Sequence, residues 1–472
     1  MYRRTVAVIR LLLLTSWVAL MGFAQEALPL KVTVEVDEEV YAYVPPFNGA
    51  DPFWCRGSTT LVQAGDAVFA SGLETIPDAK PLHNVRPILF RRDTTGWKQI
   101  WRDEQYRTRE PCPMGVFSDN TVLLSANPSL VPDQRSGPAR PEVYAFAAAQ
   151  PNRPPQVLLP RWDGKPEFRE HTYRTFSVDR ARSEFILFCN VGTNHSEWAF
   201  RARNETWHGG QLAWMPRKDP DFAPYKSKFA RANYPNVILA NKAVHFCGAS
   251  AHNQWDRVGP DRNAELSGRK SWGNRWRRLI YTTTPDITTK PFAPWLEIDN
   301  TFATGGWLFP GDMWLAPDGA AHIVWHRGPI HWKLGHDHFP DIKRITSLEY
   351  AVLRDGKISN RKTLVASDDR NGPVRAGMTV RFHPAPDGKL FIVYRMWGKE
   401  EGQDINRQQL MQILPAKTFG RSAPIPLKHP LINVFTTTPR AGSAPSPILH
   451  LFGHHRDGKR HTARYARVRI SD

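Results

Sequence analysis

Five consecutive residues, Glu170-His171-Thr172-Tyr173-Arg174, put a base, a second proton carrier and a planar cation into one short segment. Histidine and tyrosine side chains can move protons in catalysis. A guanidinium grips a carboxylate or sulfate through paired hydrogen bonds. If the segment is extended, alternate side chains share a face, so His171 and Tyr173 point one way and Arg174 the other. His195 is a second candidate base. Read without a ligand, the same residues make a structural hydrogen-bonding set.

What positions these residues is a repeat that runs the length of the chain. Long repeat periods signal propellers or solenoids. A strongly apolar strand recurs seven times, at residues 67–71, 121–125, 184–188, 243–247, 321–325, 390–394 and 448–452. Tight-turn residues precede these strands, among them Gly65-Asp66, Asn241-Lys242, Asp318-Gly319 and Asp387-Gly388. Asp-Gly ahead of an apolar run is a strong hairpin signal. A third strand follows each copy, and a fourth follows in six of them. The seventh copy ends at the C-terminus without a fourth strand, while residues 30–36 near the start alternate like a strand and belong to no repeat. The N-terminal strand therefore completes the last blade. The expectation is an all-β, seven-bladed β-propeller, a ring that leaves only short, protected edges. Forty prolines and no long run of helix formers agree with strands and turns.

In such a ring, the segment entering each blade and the loop after its second strand emerge on one face. The entering segments supply Arg56, Arg107, Arg109, His171, Tyr173, Arg174, Tyr234, Trp307, Asp312 and Arg375. The loops supply His83, His195, His252, His326, Arg327, His331, His336, His338, Arg395, His454 and His455. The longest loops, 250–276 and 327–344, are of the length usually reserved for function or disorder. From this set the expected catalytic residues are His171, Tyr173 and His195. The expected binding residues are Arg56, Arg109, Arg174, Tyr234, Trp307, Asp312, His326, Arg375 and Arg395. Trp54, Trp307, Trp332 and Trp397 could stack on sugar rings or pack blades. His245 and His322, inside apolar strands, read as core histidines with satisfied hydrogen bonds.

The formal charge of +18 draws anions. No nucleic-acid-binding motif is present, so an acidic polysaccharide or oligosaccharide is the expected partner. Residues 1–24 read as a signal peptide: Arg3 and Arg4 precede an apolar run at 6–18, and small residues flank a cleavage point after Ala24. That run is short for a membrane span, which takes about 20 apolar residues. The expectation is a secreted or periplasmic chain, with residues 25–472 forming one domain and no stable membrane insertion after cleavage. Four cysteines do not make a disulfide framework. A Cys55–Cys112 bridge is open, and Cys189 and Cys247 read as buried thiols. His331, His336 and His338 could gather round a divalent metal, though their spacing fits no specific motif and no metal site is assigned.

The segments 233–237 with 243–246, and 312–319 with 322–325, resemble the blade signatures of secreted BNR-repeat and sialidase-like propellers. Among these, the face composition resembles propeller polysaccharide lyases such as ulvan lyases. The sialidase Asp box is only partly echoed, at Arg92-Asp93-Thr94-Thr95-Gly96-Trp97. The lyase resemblance implies a His/Tyr acid–base pair and an arginine that neutralises a uronate, matched here by His171, Tyr173 and Arg174. The expected activity is β-elimination on a uronate-containing glycan. A glycoside hydrolase, using Glu110, Glu170 and Asp312 as paired carboxylates, and a non-catalytic glycan-binding propeller are the alternatives.

Overall fold

The computed structural model describes residues 29–471, apart from Tyr106, 151–152, Thr193, 217–228, 253–274, 331–338, Arg344 and 369–373. The putting together of strands follows the repeat. Blade 1 is Leu61–Ala64, Ala67–Thr75, Val85–Asp93 and Gly96–Arg102; blade 2 is Met114–Val116, Thr121–Ala126, Glu142–Ala147 and Gln156–Leu158. Blade 3 is Thr175–Asp179, Glu184–Val191, His195–Arg201 and Trp207–Ala213; blade 4 is Ala232–Ala240, Ala243–His252, Arg275–Thr284 and Leu296–Asn300. Blade 5 is Gly305–Leu315, Ala321–Ile330, Ile345–Arg354 and Lys357–Asp368; blade 6 is Val374–Pro384, Leu390–Glu400, Gln403–Leu414 and Ser422–Ile425. Blade 7 takes three strands from the end of the chain, Val434–Thr436, Ile448–Asp457 and Arg460–Ser471, and its fourth, Lys31–Tyr43, from the beginning.

The second strands are apolar on both faces because each lies between two blades. Phe69 and Leu89 of blade 1 pack with Val122, Leu124 and Tyr144 of blade 2. Phe391 and Val393 of blade 6 pack with Leu449, Leu451 and Val468 of blade 7. Burying one such side chain stabilises by about 1.5–3 kcal/mol. The turns before these strands hold the expected backbone: Asn241 and Lys242 have φ of 49° and 66°, and Gly319 and Gly388 have φ of 82° and 80°.

The ring closes through the N-terminal strand, which pairs antiparallel with the last strand from Lys31 opposite Ser471 to Tyr43 opposite His461. Its outward carboxylates meet arginines of that strand. Glu35 pairs with Arg467 and Arg469, Asp37 with Arg464, and Glu39 with Arg460. The Asp37–Arg464 pair is largely buried, whereas each of the more exposed pairs adds at most about 1 kcal/mol.

Inside the channel, Asp312 and Arg440 form a buried ion pair at 2.9 Å. Arg440 also donates to the Gly57 carbonyl at 2.7 Å, which ties blades 1, 5 and 7 together. All four cysteines are free and buried, so the open Cys55–Cys112 bridge is not formed.

Candidate functional site

The segments entering blades 1, 3, 4 and 5 converge on one end of the channel and close it with rings. Tyr173, Tyr234 and Phe309 are buried there, with Trp54, Trp276 and Trp307 packed against them. Trp54 lies 5.1 Å from Tyr173, 5.5 Å from Tyr234 and 5.3 Å from His171. Tyr173 and Tyr234 meet edge-on at 5.0 Å. His171 and Tyr173 are 4.5 Å apart between ring centres, but not through strand alternation: residues 171–174 lie ahead of the strand that begins at Thr175. The plate is tight because blade 1 touches blade 4 across the channel. A Cβ on Gly57 would sit 2.1 Å from the Pro235 carbonyl oxygen, so only glycine fits.

Tyr173 and Tyr234 occupy matching places in neighbouring blades. Each lies two residues before a residue paired with the second strand, Thr175 opposite Phe188 and Asn236 opposite Cys247. Both have left-handed backbones, with φ of 45° and 48°. That conformation is uncommon for a bulky residue and costs about 1–3 kcal/mol. The same unfavourable turn, used twice, aims both phenols at one point.

Three guanidiniums surround these rings. Arg56 lies over Phe309 at 5.0 Å, Arg231 over Tyr173 at 5.1 Å and Arg109 over Trp54 at 5.7 Å. Arg109 is steadied through Nε, which donates to the Asn48 carbonyl at 2.9 Å. Among the described residues no carboxylate pairs with any of the three, and Nε of Arg56 and of Arg231 is buried without a partner. Cations crowded in this way, half out of water, make a ready anion site.

The crowding also sets the protons. Burial, then Arg109 and Arg231, pushes the His171 pKa down to about 3, so its imidazole is neutral. Burial pushes Tyr173 and Tyr234 up, so both phenols keep their protons. Burial lowers Arg231. Nε2 of His171 is covered and has no hydrogen-bond partner among the described residues. A neutral base beside a protonated acid is the division of labour that acid–base chemistry requires.

Several expected residues serve the scaffold instead. Arg174 is buried and donates to the Ser125 and Pro111 carbonyls at 2.9 and 3.1 Å. Its Nε lies 3.5 Å from Glu110. Glu110 in turn accepts from the Thr172 backbone at 2.9 Å. Arg174 is therefore a brace, and Arg109 and Arg231 stand where it was expected. Asp312 is buried and accepts from the Met313 and Phe382 backbones as well as Arg440, so its oxygens are already taken up by the scaffold. Glu170 accepts from the Gly137 backbone. All three carboxylates considered for hydrolysis are thus engaged. His195 opens a strand, rather than lying in a loop, and its Nε2 is 2.9 Å from Glu197. No ring contact or hydrogen bond joins it to His171 among the described residues.

A second group of expected residues gathers beside the plate. Trp307, His326, Arg375, Arg395 and Trp397 line a cleft of about 550 Å³ between blades 5 and 6. Trp307 stacks on His326 at 4.6 Å and also packs against the aromatic plate, so it joins the two places.

The core histidines are satisfied as expected. His245 and His322 bond Tyr281 and Tyr350 at 2.6 and 2.7 Å, and His450 repeats the pattern with Tyr465 at 2.7 Å. His83 is buried on Ser129, and His454 is half-buried against His461. His331, Trp332, His336 and His338, and the His252 side chain, lie outside the described residues. Among the described residues no group of three or more His, Cys, Asp or Glu is placed to hold a metal. Arg231, Trp276 and Phe309 were missed. Arg231 stands immediately before an inner strand, so its place in the repeat was the signal for it.

No family model matches the chain, and no curated protein matches it. The BNR-repeat and ulvan-lyase part of the resemblance therefore has no counterpart, while the seven-bladed ring does. Among solved structures, an α-L-arabinofuranosidase of Fusarium graminearum bound to an iminosugar inhibitor is 13% identical, with a TM-score of 0.43, covering 92% of this chain and 98% of that one. An α-L-arabinanase of Penicillium chrysogenum with arabinobiose is 12% identical, with a TM-score of 0.40 over 93% and 98%. The N-terminal domain of Nup159 is 9% identical, with a TM-score of 0.42 over 94% and 96%. Likeness at this level carries no functional conclusion. No helix among the described residues is long and apolar enough to cross a membrane.

Proposed function

We propose that this chain is a carbohydrate-active propeller that holds a uronate-containing glycan at the channel mouth and cleaves it by β-elimination. One observation carries the reading: Arg56, Arg109 and Arg231, which pair with no carboxylate among the described residues, surround a neutral His171 and a protonated Tyr173. The guanidiniums neutralise the uronate carboxylate, which makes the proton on the adjacent carbon more acidic and stabilises the enolate-like intermediate. The arriving carboxylate also favours a charged imidazole and so strengthens His171 as a base. His171 takes the proton on its neutral ring. The released electron pair forms a carbon–carbon double bond and the bond to the leaving oxygen breaks. Tyr173 protonates that oxygen, and the His171 proton then restores the phenol. No water is consumed. Trp54 offers a face to the sugar ring.

The reading takes residues 1–24 as an export leader and 25–472 as the mature domain, at work outside the cytoplasm. Incubation with a panel of uronate polysaccharides should yield an unsaturated product that absorbs in the ultraviolet, lost in His171→Ala and Tyr173→Phe. Cleavage without that absorbance would mean hydrolysis. The closed aromatic floor favours a second reading, a binding propeller without turnover, and glycan binding with no cleavage of any kind would select it.

A further inference from the structure

The cleft between blades 5 and 6 is left unused by this reaction, yet it carries the marks of a ligand site. Its volume of about 550 Å³ lies within the usual range for ligand pockets, roughly 300–1,000 Å³. Trp397 stands on its wall, 39% exposed. Arg375, its partner on the neighbouring strand, lies 5.4 Å from the ring, and Arg395, two residues before it, lies 5.9 Å away. Nε of Arg395 is held by Asn406 at 2.7 Å, which fixes the guanidinium in place.

Two polar atoms of the wall have no partner among the described residues. His326 is 3% exposed, and its Nε2 bonds the Ala376 carbonyl at 3.1 Å. That bond makes Nε2 the donor and Nδ1 the acceptor, and Nδ1 is unsatisfied. Oγ1 of Thr346 is unsatisfied as well. Unpaired buried polar atoms are few in native proteins and call for a reason.

We propose that this cleft is a second subsite for an acidic glycan, holding a further charged sugar of the chain whose uronate lies at the mouth. The substrate class rests on the reading given above. A ring flanked by two guanidiniums suits a sugar that is apolar on one face and anionic at its edge. Trp307, shared between cleft and plate, joins the two subsites into one track. The protein therefore recognises a chain longer than a disaccharide, with charge at more than one residue.

Calorimetric titration with heparin-derived oligosaccharides of two to eight units, which carry carboxylate and sulfate, tests this on the full chain. Wild-type affinity should rise at least about tenfold from disaccharide to hexasaccharide. Trp397→Ala and Arg395→Gln should each abolish that rise, with thermal unfolding unchanged. His171→Ala should keep the rise. No length dependence in the wild type, or a rise that persists in both cleft variants, overturns the subsite. Missing ultraviolet product with intact length dependence sinks the elimination alone and leaves the subsite standing.

Discussion

Replacing Asp312 with alanine should destabilise the fold by about 5 kcal/mol. The carboxylate is 1% exposed and accepts three hydrogen bonds, from the Met313 and Phe382 backbones and from Nε of Arg440, whose Nη2 also lies 2.9 Å away as an ion pair. Without it the Arg440 guanidinium, itself buried, keeps only the Gly57 carbonyl. Arg381 loses its nearby counter-charge too, in a place where burial already lowers its pKa to about 10. An uncompensated buried charge costs about 3–5 kcal/mol. Each orphaned backbone N–H adds about 1 kcal/mol or more, offset in part by water that enters the space. Folded domains hold roughly 5–15 kcal/mol in all, so the midpoint of urea unfolding should move far to lower denaturant with little change in slope. Asp312→Ala/Arg440→Ala should cost less than the sum of the single changes, because the two share one interaction. If Asp312 were instead a substrate ligand, stability would shift by about 0.5 kcal/mol or less and only glycan affinity would fall. That outcome would refute the brace.

Acid should weaken the fold through its buried histidines. His326 and His383 have pKa values pushed down to about 4 by burial, below the unfolded value of about 6.5. The unfolded chain therefore binds more protons, stability rises with pH, and it is lost as pH falls below about 6.5 toward 4. Each of these two should cost on the order of 2 kcal/mol at pH 5, read as a falling melting temperature between pH 7 and pH 5; a flat profile would contradict the burial. The thiols should be inert in the native state, since burial pushes Cys55 and Cys112 up to about 12 and thiolates are the reactive form. A thiol reagent should label four cysteines only after unfolding, and labelling of native protein or a missing thiol in the unfolded chain would count against the structure.

The ring was legible in the sequence because an apolar second strand recurs seven times along the chain, each flanked by turn residues, and a strand packed between blades is apolar on both faces. The closing strand was legible because residues 30–36 had no repeat and the last repeat lacked a strand. The mouth was partly legible. Register alone put Tyr173 and Tyr234 at matching places, but nothing in the residue types announces the left-handed turns that aim them. Direction was harder to read than position. Arg174 sits beside Tyr173 in the chain, and the left-handed turn at Tyr173 separates a mouth residue from a brace. Asp312 was read as a ligand because a lone aspartate carries no mark of the arginine, 128 residues later, that buries it. His195 was read as a base although Glu197, on the same strand face, was there to take its ring.

The claim on which the rest stands is that the guanidiniums of the mouth, which pair with no carboxylate among the described residues, recognise a carboxylate. Its most direct measurement is a calorimetric comparison of one uronate oligosaccharide with its carboxyl-reduced, neutral counterpart, for the wild type and for Arg231→Ala. The acidic sugar should bind the wild type at least about tenfold more tightly than the neutral one, and Arg231→Ala should remove most of that preference. Equal affinity for the two sugars, or a preference untouched by the substitution, would contradict it.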